Sequence, residues 1–151
     1  MTLPLTAKDL MTPTTQTVSD DLDINELVKI LREKRIGGLP VMNSKGKLSG
    51  VVSVYDTFKA MEIVRAMAHG KLVWYSKFNS GKEVIKVKDI YERTKVRVFL
   101  TTPLEEVVDA MLSNNLHTLP VFDEAKDIFC GVIGRHDLTW AVFGDNPPSG
   151  I

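Results

Sequence analysis

The sequence has a single cysteine, few aromatic residues and no long apolar run. Cys130 has no second cysteine to pair with inside the chain, which predicts a reducing, cytoplasmic compartment. Aromatic residues make up 7% of the chain, and no apolar stretch approaches the roughly 18 residues that a membrane span requires. The N-terminus lacks a basic region followed by an apolar core. We therefore expect neither secretion nor membrane insertion.

Neither positive nor negative charge is in excess. The 19 Lys and Arg residues balance 19 Asp and Glu residues, so the formal net charge is zero. This balance offers no electrostatic reason to expect a nucleic acid or an anionic membrane as partner. The 151 residues are 44% hydrophobic and 25% charged, as in soluble globular proteins. At this length we expect one domain or two small repeats, with a core that needs neither metal nor disulfide.

The short motifs of common catalytic sites are missing as well. The sequence contains no G-x-x-x-x-G-K-[ST] loop, no G-x-G-x-x-G turn and no G-x-S-x-G nucleophile elbow. The three histidines and Cys130 do not have the spacing of zinc ligands. We therefore assign no catalytic residue and no metal ligand, and we expect a protein that is not an enzyme.

An internal repeat organises the chain. Leu39-Pro40-Val41 recurs 80 residues later as Leu119-Pro120-Val121. After a one-residue insertion, the segment Gly50 to Asp56 recurs as Gly131 to Asp137 at an offset of 81. A period this long exceeds that of solenoid repeats, which is roughly 20 to 50 residues. The pattern therefore indicates two copies of one small α+β unit.

Each copy is predicted to contain a strand, a helix, a β-hairpin and a second helix. Apolar residues at i, i+3, i+4 and i+7 indicate the first helix of each copy: Ile24, Leu27, Val28 and Leu31, then Leu104, Val107, Val108 and Met111. In the first copy the hairpin strands are expected at residues 39–42 and 48–53. The following helix has a broad apolar surface that includes Phe58 and Met61. We expect repeats at 1–70 and 85–143, a linker at 71–84 and a tail at 144–151.

This ordered set of motifs resembles the paired CBS domains, which are named after cystathionine β-synthase. Each copy has the helix, the Leu-Pro-Val strand, the turn, the Gly-hydrophobic-hydrophobic strand and then Asp, and Lys8 to Met11 resembles the family's leading segment. The resemblance covers roughly residues 5–143. It implies two tandem repeats related by a pseudo-twofold axis and packed through their sheets. It also implies two clefts, which in many members bind AMP, ATP or S-adenosylmethionine, and a sensor rather than a catalyst.

The first copy carries the family's complete nucleotide motif, with Ser53 as the hydroxyl residue and Asp56 as the carboxylate. In the family the hydroxyl contacts phosphate and the carboxylate accepts the ribose hydroxyls. An ionised carboxylate has two acceptor oxygens, so it can hold two adjacent hydroxyls at once. The junction of a strand and a helix also favours an anion. The same Ser-x-x-Asp spacing equally fits a capping box, which would be purely structural.

Family sites are composite, because the Asp-bearing turn of one copy faces residues of the other. The resemblance therefore groups Ser53 and Asp56 with four residues of the second copy: Val98, Leu100, His117 and Thr118. His117 occupies a position that is often basic and phosphate-facing, and the other three would form walls for the base. A histidine binds phosphate better when it is protonated. The alternative is an exposed loop histidine without a partner.

The second copy departs from the motif, since Gly134 replaces the hydroxyl residue while Asp137 remains. The resemblance groups Asp137 with four residues of the first copy: Thr17, Val18, Gly37 and Gly38. Arg135 and His136 could supply positive charge to this cleft, but such a pair is also typical of a solvated strand end. The two adjacent glycines either let a ligand approach the backbone or ease a tight turn from helix to strand.

Two functions remain open at this stage. The first is a sensor that binds AMP, ADP, ATP or S-adenosylmethionine as a regulatory ligand, with no required cofactor, and signals to an unidentified protein partner. The second is a ligand-free module for dimerisation or protein interaction. Its apolar surface would come from the second helices and from Trp74, Tyr75 and Phe78 in the linker. Both functions predict a homodimer with isologous contacts.

Overall fold

The computed structural model describes residues 5–75 and 84–144, which form two four-stranded sheets with helices packed on them. The helices are α1 (Ala7–Leu10), α2 (Ile24–Lys34), α3 (Thr57–Met67), α4 (Leu104–Ser113) and α5 (Arg135–Phe143). The strands are β1 (Thr12–Pro13), β2 (Val18–Ser19), β3 (Gly38–Met42), β4 (Leu48–Ser53), β5 (Glu92–Arg93), β6 (Val98–Phe99), β7 (Thr118–Asp123) and β8 (Ile128–Gly134). Short 3-10 turns occupy Val54–Asp56 and Val87–Asp89.

The predicted α+β fold of two repeats is confirmed. The first repeat runs β2-α2-β3-β4-α3 and the second runs β6-α4-β7-β8-α5. In each repeat the short first strand pairs in parallel with the first hairpin strand, and the hairpin itself is antiparallel. Strands β3 and β4 contact β7 and β8, so the repeats meet through their sheets.

Helix α2 shows how local chemistry sets the bounds of an element. The Asp23 side chain accepts a hydrogen bond of 2.7 Å from the backbone N–H of Asn25, which caps the first turn. The helix stops at Arg35, whose φ of 54° lies in the left-handed region that commonly ends helices. Ile24, Leu27 and Leu31 are buried, as their spacing predicts. The fourth predicted position, Val28, remains half-exposed.

The leading segments of the two repeats are exchanged between the sheets. One sheet has the order β2-β3-β4-β5, in which β5 comes from the leading segment of the second repeat. The other has the order β6-β7-β8-β1, in which β1 comes from the N-terminal segment. Each strand of one sheet has a counterpart at the same place in the other sheet: β2, β3 and β4 correspond to β6, β7 and β8, and β5 corresponds to β1. The correspondence between the repeats therefore includes the exchanged strands.

Gly50 and Gly131 make room for the exchanged strands. Gly50 pairs with Arg93, and a Cβ on Gly50 would lie 2.0 Å from the Glu92 carbonyl oxygen. At the equivalent place, a Cβ on Gly131 would lie 2.7 Å from the Thr12 carbonyl oxygen. Both distances are far below normal van der Waals contact. The glycine of the repeated Gly-hydrophobic-hydrophobic motif is therefore explained by close backbone approach.

Each repeat has its own core, completed by the leading segment of the other. Ile85, Val87 and Ile90 belong to the leading segment of the second repeat but pack into the core of the first, around Leu27 and Leu39. Conversely, Ala7 and Leu10 pack with residues of the second repeat. The two repeats are thus held together by apolar burial, which is the dominant favourable contribution to folding.

Helices α3 and α5 leave large apolar side chains uncovered. Phe58 on α3 is exposed, as are Trp140 and Phe143 on α5. Phe143 is 82% exposed and Trp74, after α3, is 78% exposed. None of the helices within the described ranges has the length and apolar character needed to cross a membrane. Phe78 and the tail from residue 145 onward lie outside the described residues.

Candidate functional site

Three polar residues are buried in the described part of the chain, and all three belong to the first predicted cleft. Ser53, Asp56 and Thr118 are 3%, 5% and 2% exposed, respectively. Ser53 and Asp56 come from the end of β4 in the first repeat, and Thr118 begins β7 in the second. These buried polar groups come from both repeats and each has a hydrogen-bond partner within the chain, so they lie where the repeats meet.

The Ser53–Asp56 turn forms the capping box that its spacing allows. Asp56 Oδ2 accepts hydrogen bonds from the Ser53 backbone N–H at 2.8 Å and from Ser53 Oγ at 3.3 Å. Its other oxygen, Oδ1, lies 3.4 Å from Lys59 Nζ. The carboxylate therefore has a structural role at the start of α3. Because a carboxylate offers about four lone-pair sites, these contacts leave acceptor capacity for a ligand.

The same hydrogen bond, from a backbone N–H to the carboxylate of the aspartate three residues later, occurs four times in the described chain. Its donors and acceptors are Thr6 and Asp9 at 3.0 Å, Ser53 and Asp56 at 2.8 Å, Lys86 and Asp89 at 2.8 Å, and Gly134 and Asp137 at 2.7 Å. The donor residue varies from threonine to glycine, so this bond does not require a hydroxyl. Capping alone therefore explains the aspartates but does not explain the serine at position 53.

Lys59 connects the site to the exchanged strand β5. Its ammonium lies 2.7 Å from Glu92 Oε1 and donates a hydrogen bond of 3.2 Å to the Ile90 carbonyl. The hydrogen bond to Glu92 raises the pKa of Lys59, and the charge of Asp56 acts in the same direction. Sequence reasoning missed Lys59 and Glu92, because the exchange of β5 brings together residues that are distant in sequence.

Tyr55 bridges the two repeats over the site. Its ring stacks on the imidazole of His117, with ring centroids 4.5 Å apart and an interplanar angle of 24°. Tyr55 is half-exposed and lies between Ser53 and Asp56 in sequence. The structure therefore brings His117 beside the first-repeat motif. Sequence reasoning missed Tyr55, although its position inside Ser-x-x-Asp was an available signal.

His117 has an unusual environment for a histidine. Its Nδ1 atom is buried and has no hydrogen-bond partner among residues 5–75 and 84–144. Burial lowers the pKa of the imidazole and the positive charge of Arg135 lowers it further, while Asp56 and Glu92 oppose the shift. The imidazole is therefore held toward its neutral form. A buried polar atom without a partner is rare in native structures and calls for an explanation.

Arg135 lies beside His117, on the side of the first cleft. Its Nε donates a hydrogen bond of 2.8 Å to the Leu116 carbonyl, and Nη2 is 3.4 Å from Asn115 Oδ1. The guanidinium thus reaches from the start of α5 to the loop that leads into β7. The sequence analysis grouped Arg135 with Asp137. In the structure its positive charge acts on His117, whose pKa it lowers.

The two adjacent glycines have different surroundings. A Cβ on Gly38 would lie 2.7 Å from Thr118 Cγ2 and 2.8 Å from the Val52 carbonyl oxygen, so β3 packs tightly on β7 there. A Cβ on Gly37 would meet nothing within 4 Å. Neither glycine has a positive φ. Close packing therefore accounts for Gly38, whereas Gly37 faces open space.

The second predicted cleft lacks side chains that the first cleft has. At equivalent positions, Ser53, His117 and Thr118 of the first cleft correspond to Gly134, Gly37 and Gly38 of the second. Asp137 remains and caps α5 through the Gly134 N–H. Burial raises the pKa of Asp137, while that hydrogen bond and His136 oppose the rise. The two clefts are thus chemically unequal despite the symmetry of the backbone.

The remaining predicted site residues lie at or next to the first strand of each repeat. Val18 in β2 pairs with Val41 and is buried in the first core, next to the partly buried Thr17. Val98 in β6 pairs with Val121 and is buried in the second core, and Leu100 packs against that core. Core packing accounts for the three aliphatic residues without a ligand.

An apolar groove lies behind the Ser53–Asp56 turn. It has a volume of about 520 Å³ and is formed by α2, α3 and residues 72–75. Val54 and Thr57, which flank Tyr55 and Asp56, line it. The turn therefore contacts the groove on one side and His117 on the other. No group of three or more potential metal ligands was found within the described residues.

Comparison with known proteins identifies the family. The family model described as the CBS domain matches residues 7–63 and 87–144, one match for each repeat. This chain belongs to the CBS domain family. The matches include the Ser53–Asp56 turn and the His117 loop in separate CBS domains, so the candidate site of this CBS pair lies between its two domains.

Several relatives match this chain over most of its length. An uncharacterized protein of Methanocaldococcus jannaschii is 30% identical over 144 residues, which cover 83% of this chain and 84% of the relative. The structure of CBSX2 in complex with AMP is 27% identical, has a TM-score of 0.56, and the match covers 90% of this chain and 94% of that one. The CBS pair of MJ0100, in complex with 5′-methylthioadenosine and S-adenosyl-L-methionine, is 21% identical with a TM-score of 0.68, covering 95% and 100%.

Other relatives are much longer proteins. A homoserine O-acetyltransferase of Methanococcoides burtonii is 25% identical over 130 residues, which are 86% of this chain but 22% of that enzyme. The CBS pair therefore also occurs as one part of larger proteins.

Proposed function

We propose that this chain is a regulatory module that binds an adenosine-containing ligand between its two CBS domains. The observation that carries the proposal is the concentration of buried polar residues at the junction of the repeats, where Ser53, Asp56 and Thr118 are buried and Tyr55 stacks on His117. The AMP bound to CBSX2, a relative of similar fold, supports adenosine as the common element of the ligand.

Each residue of the first cleft has a defined role in this proposal. Asp56 accepts the ribose hydroxyls through Oδ1, which takes no part in the capping bonds to Oδ2 and faces Lys59 at 3.4 Å. The Ser53 hydroxyl, which donates to Asp56 Oδ2 without ligand, turns to donate to the phosphate, and the N-terminal end of the turn contributes to the same anion site. His117 and Arg135 add positive charge from the second repeat. Because the ligand contacts both repeats, its binding favours one arrangement of the pair, and this preference is passed to a partner protein.

The second cleft binds this ligand more weakly in the proposal. It has glycine at the three positions where the first cleft has a serine, a histidine and a threonine: Gly134, Gly37 and Gly38. We therefore expect one ligand molecule per chain. The module itself is not catalytic, and the cytoplasm remains the location expected from its single cysteine.

Titration calorimetry with AMP tests the proposal, with the variants Asp56→Asn and Asp137→Asn as a matched pair. Asparagine retains one acceptor oxygen for the capping bond but loses the charge that strengthens hydrogen bonds from the ribose hydroxyls. We expect Asp56→Asn to weaken AMP binding at least tenfold and Asp137→Asn to change it less than twofold. Equal effects of the two variants, or no binding of AMP to the wild type at millimolar concentration, would contradict the proposal.

A second function, a ligand-free interaction module, is favoured by the exposed aromatic residues. Phe58 on α3 and Trp140 and Phe143 on α5 leave apolar area that a homodimer would cover. Sedimentation velocity tests this function with the double variant Phe58→Ser/Phe143→Ser. A dimer that the double variant dissociates, together with the absence of any adenosine ligand, would favour this second function over the sensor.

A further inference from the structure

We propose that two copies of this chain associate in an antiparallel dimer, in which the helices of the first repeat of one copy pack against the helices of the second repeat of the other. This inference goes beyond the proposed function, because it concerns the helices and not the cleft between the repeats. It assigns a second copy of the chain to the apolar groove formed by α2, α3 and residues 72–75. Its basis is that corresponding helices of the two repeats differ in charge and in exposed apolar side chains.

The first repeat presents the apolar groove. Val28 on α2 and Met61 on α3 line the groove and are half-exposed. Leu72 and Trp74, which follow α3, also line it and are largely exposed. A contiguous apolar surface of this kind with a polar border is typical of a protein–protein contact.

The second repeat presents exposed aromatic side chains at its last helix. Trp140 and Phe143 on α5 are 61% and 82% exposed. At the offset of 81 they correspond to Lys59 and Glu62 on α3, so the first repeat is charged where the second is aromatic. Aromatic side chains that enter a pocket of the partner commonly anchor protein interfaces. The apolar groove of one copy therefore suits the α5 helix of another.

The border of the apolar groove has an excess of positive charge. Asn25 and Val28 line both the groove and an adjoining polar pocket on α2. The charged residues of that pocket are three cations and one carboxylate: Lys29, Arg32, Arg35 and Glu33. The ion pairs formed among residues 5–75 and 84–144 use none of these four side chains. Their charges are therefore available to a partner.

The corresponding surface of the second repeat is acidic. At the offset of 80, Glu105 stands at the position of Asn25 and Asp109 at the position of Lys29. Both acidic residues are exposed. Helix α4 contains no lysine, arginine or histidine that would compensate them. The two repeats thus have opposite charges on equivalent helices.

These charges select one orientation of a twofold dimer. In a parallel dimer each repeat would face the same repeat of the other copy, so the basic α2 surfaces would meet and repel each other. In an antiparallel dimer the basic surface of α2 faces the acidic surface of α4, and opposite charges across an interface favour the correct partner. A twofold axis makes this contact twice, so that both helical surfaces of each copy are covered.

Charge reversal tests the orientation, with the dissociation constant of the dimer measured by sedimentation velocity. Lys29→Glu and Asp109→Lys should each raise this constant about tenfold or more, because each places like charges across the interface. The double variant Lys29→Glu/Asp109→Lys restores opposite charges and should return within about threefold of the wild type. Lys45→Glu is the matched control, since Lys45 is exposed in the turn between β3 and β4. In a parallel dimer the double variant would not restore association.

Crosslinking tests the same orientation without reversing a charge. Val28→Cys and Leu112→Cys are made separately in a Cys130→Ser background, then mixed and treated with a short bismaleimide. We expect crosslinks between the two different variants to exceed those within either one, because α2 faces α4. A monomeric or larger wild-type species, a double variant as weak as the single ones, or crosslinks mainly between identical variants would each overturn the proposal.

Discussion

The backbone N–H of Ser53 lies 2.8 Å from Oδ2 of Asp56, so the carboxylate that we propose for the ribose also holds the start of α3. The same atom accepts the Ser53 hydroxyl at 3.3 Å. Binding and capping therefore share one side chain. Variants of Asp56 therefore report on ligand binding only when they keep the hydrogen bond from the Ser53 N–H.

The capping role predicts a difference between Asp56→Ala and Asp56→Asn. Alanine leaves the buried Ser53 N–H without an acceptor, which should lower the free energy of unfolding by about 1–3 kcal/mol. Asparagine keeps an acceptor oxygen and should recover at least half of that loss. Urea unfolding monitored by circular dichroism measures both values. If Asp56→Ala were as stable as the wild type, the hydrogen bond would have no structural importance.

The packing at the start of β3 predicts that alanine destabilises the protein at Gly38 but is tolerated at the adjacent Gly37. Gly38→Ala would place a Cβ 2.7 Å from Thr118 Cγ2 and should destabilise the protein by about 1–3 kcal/mol, as overpacking does. Gly37→Ala meets nothing within 4 Å and should change stability by less than about 0.5 kcal/mol. Thermal unfolding of the two variants checks this, and equal destabilisation would show that the repeats do not pack as described.

His117 also predicts how the stability of the ligand-free protein depends on pH. Its pKa in the folded state lies below the usual value of 6.5, so the unfolded chain binds a proton more readily. Stability should therefore fall as the pH decreases through 6.5 toward the folded pKa. In His117→Asn this part of the decrease should disappear. Unfolding curves from pH 8 to pH 5 measure it, and identical pH profiles would contradict the lowered pKa.

The unequal clefts predict that a second site can be rebuilt. Gly134→Ser restores the hydroxyl, where a Cβ would meet only Asp137 Oδ2 at 3.7 Å and the His117 carbonyl at 4.0 Å. Gly37→His adds the imidazole where there is open space. The double variant should bind two AMP molecules per chain instead of one, by calorimetry. Gly134→Ser alone is the control, and a wild-type stoichiometry of two would show that the glycines do not weaken the second cleft.

Much of the fold follows from the sequence because its determinants are local. The hairpin and helix of each repeat depend on periodicity, caps and turns, and the observed β3 begins one residue before the predicted strand. The Ser53–Asp56 motif was identified for the same reason, since both residues lie within one turn. For Val98 and Leu100 the sequence could not distinguish a wall of the ligand site from a core position, because burial depends on neighbours from other elements.

The sequence by itself determined that this chain is a duplicated α+β unit in which one copy has Ser-x-x-Asp and the other has glycine in place of the serine. Only the tertiary structure decided which residues accompany that motif. The exchange of β5 brings Glu92 to Lys59, and the packing of the sheets brings His117 onto Tyr55. These contacts join residues more than 30 positions apart. They depend on shape complementarity between whole repeats, which no local pattern encodes.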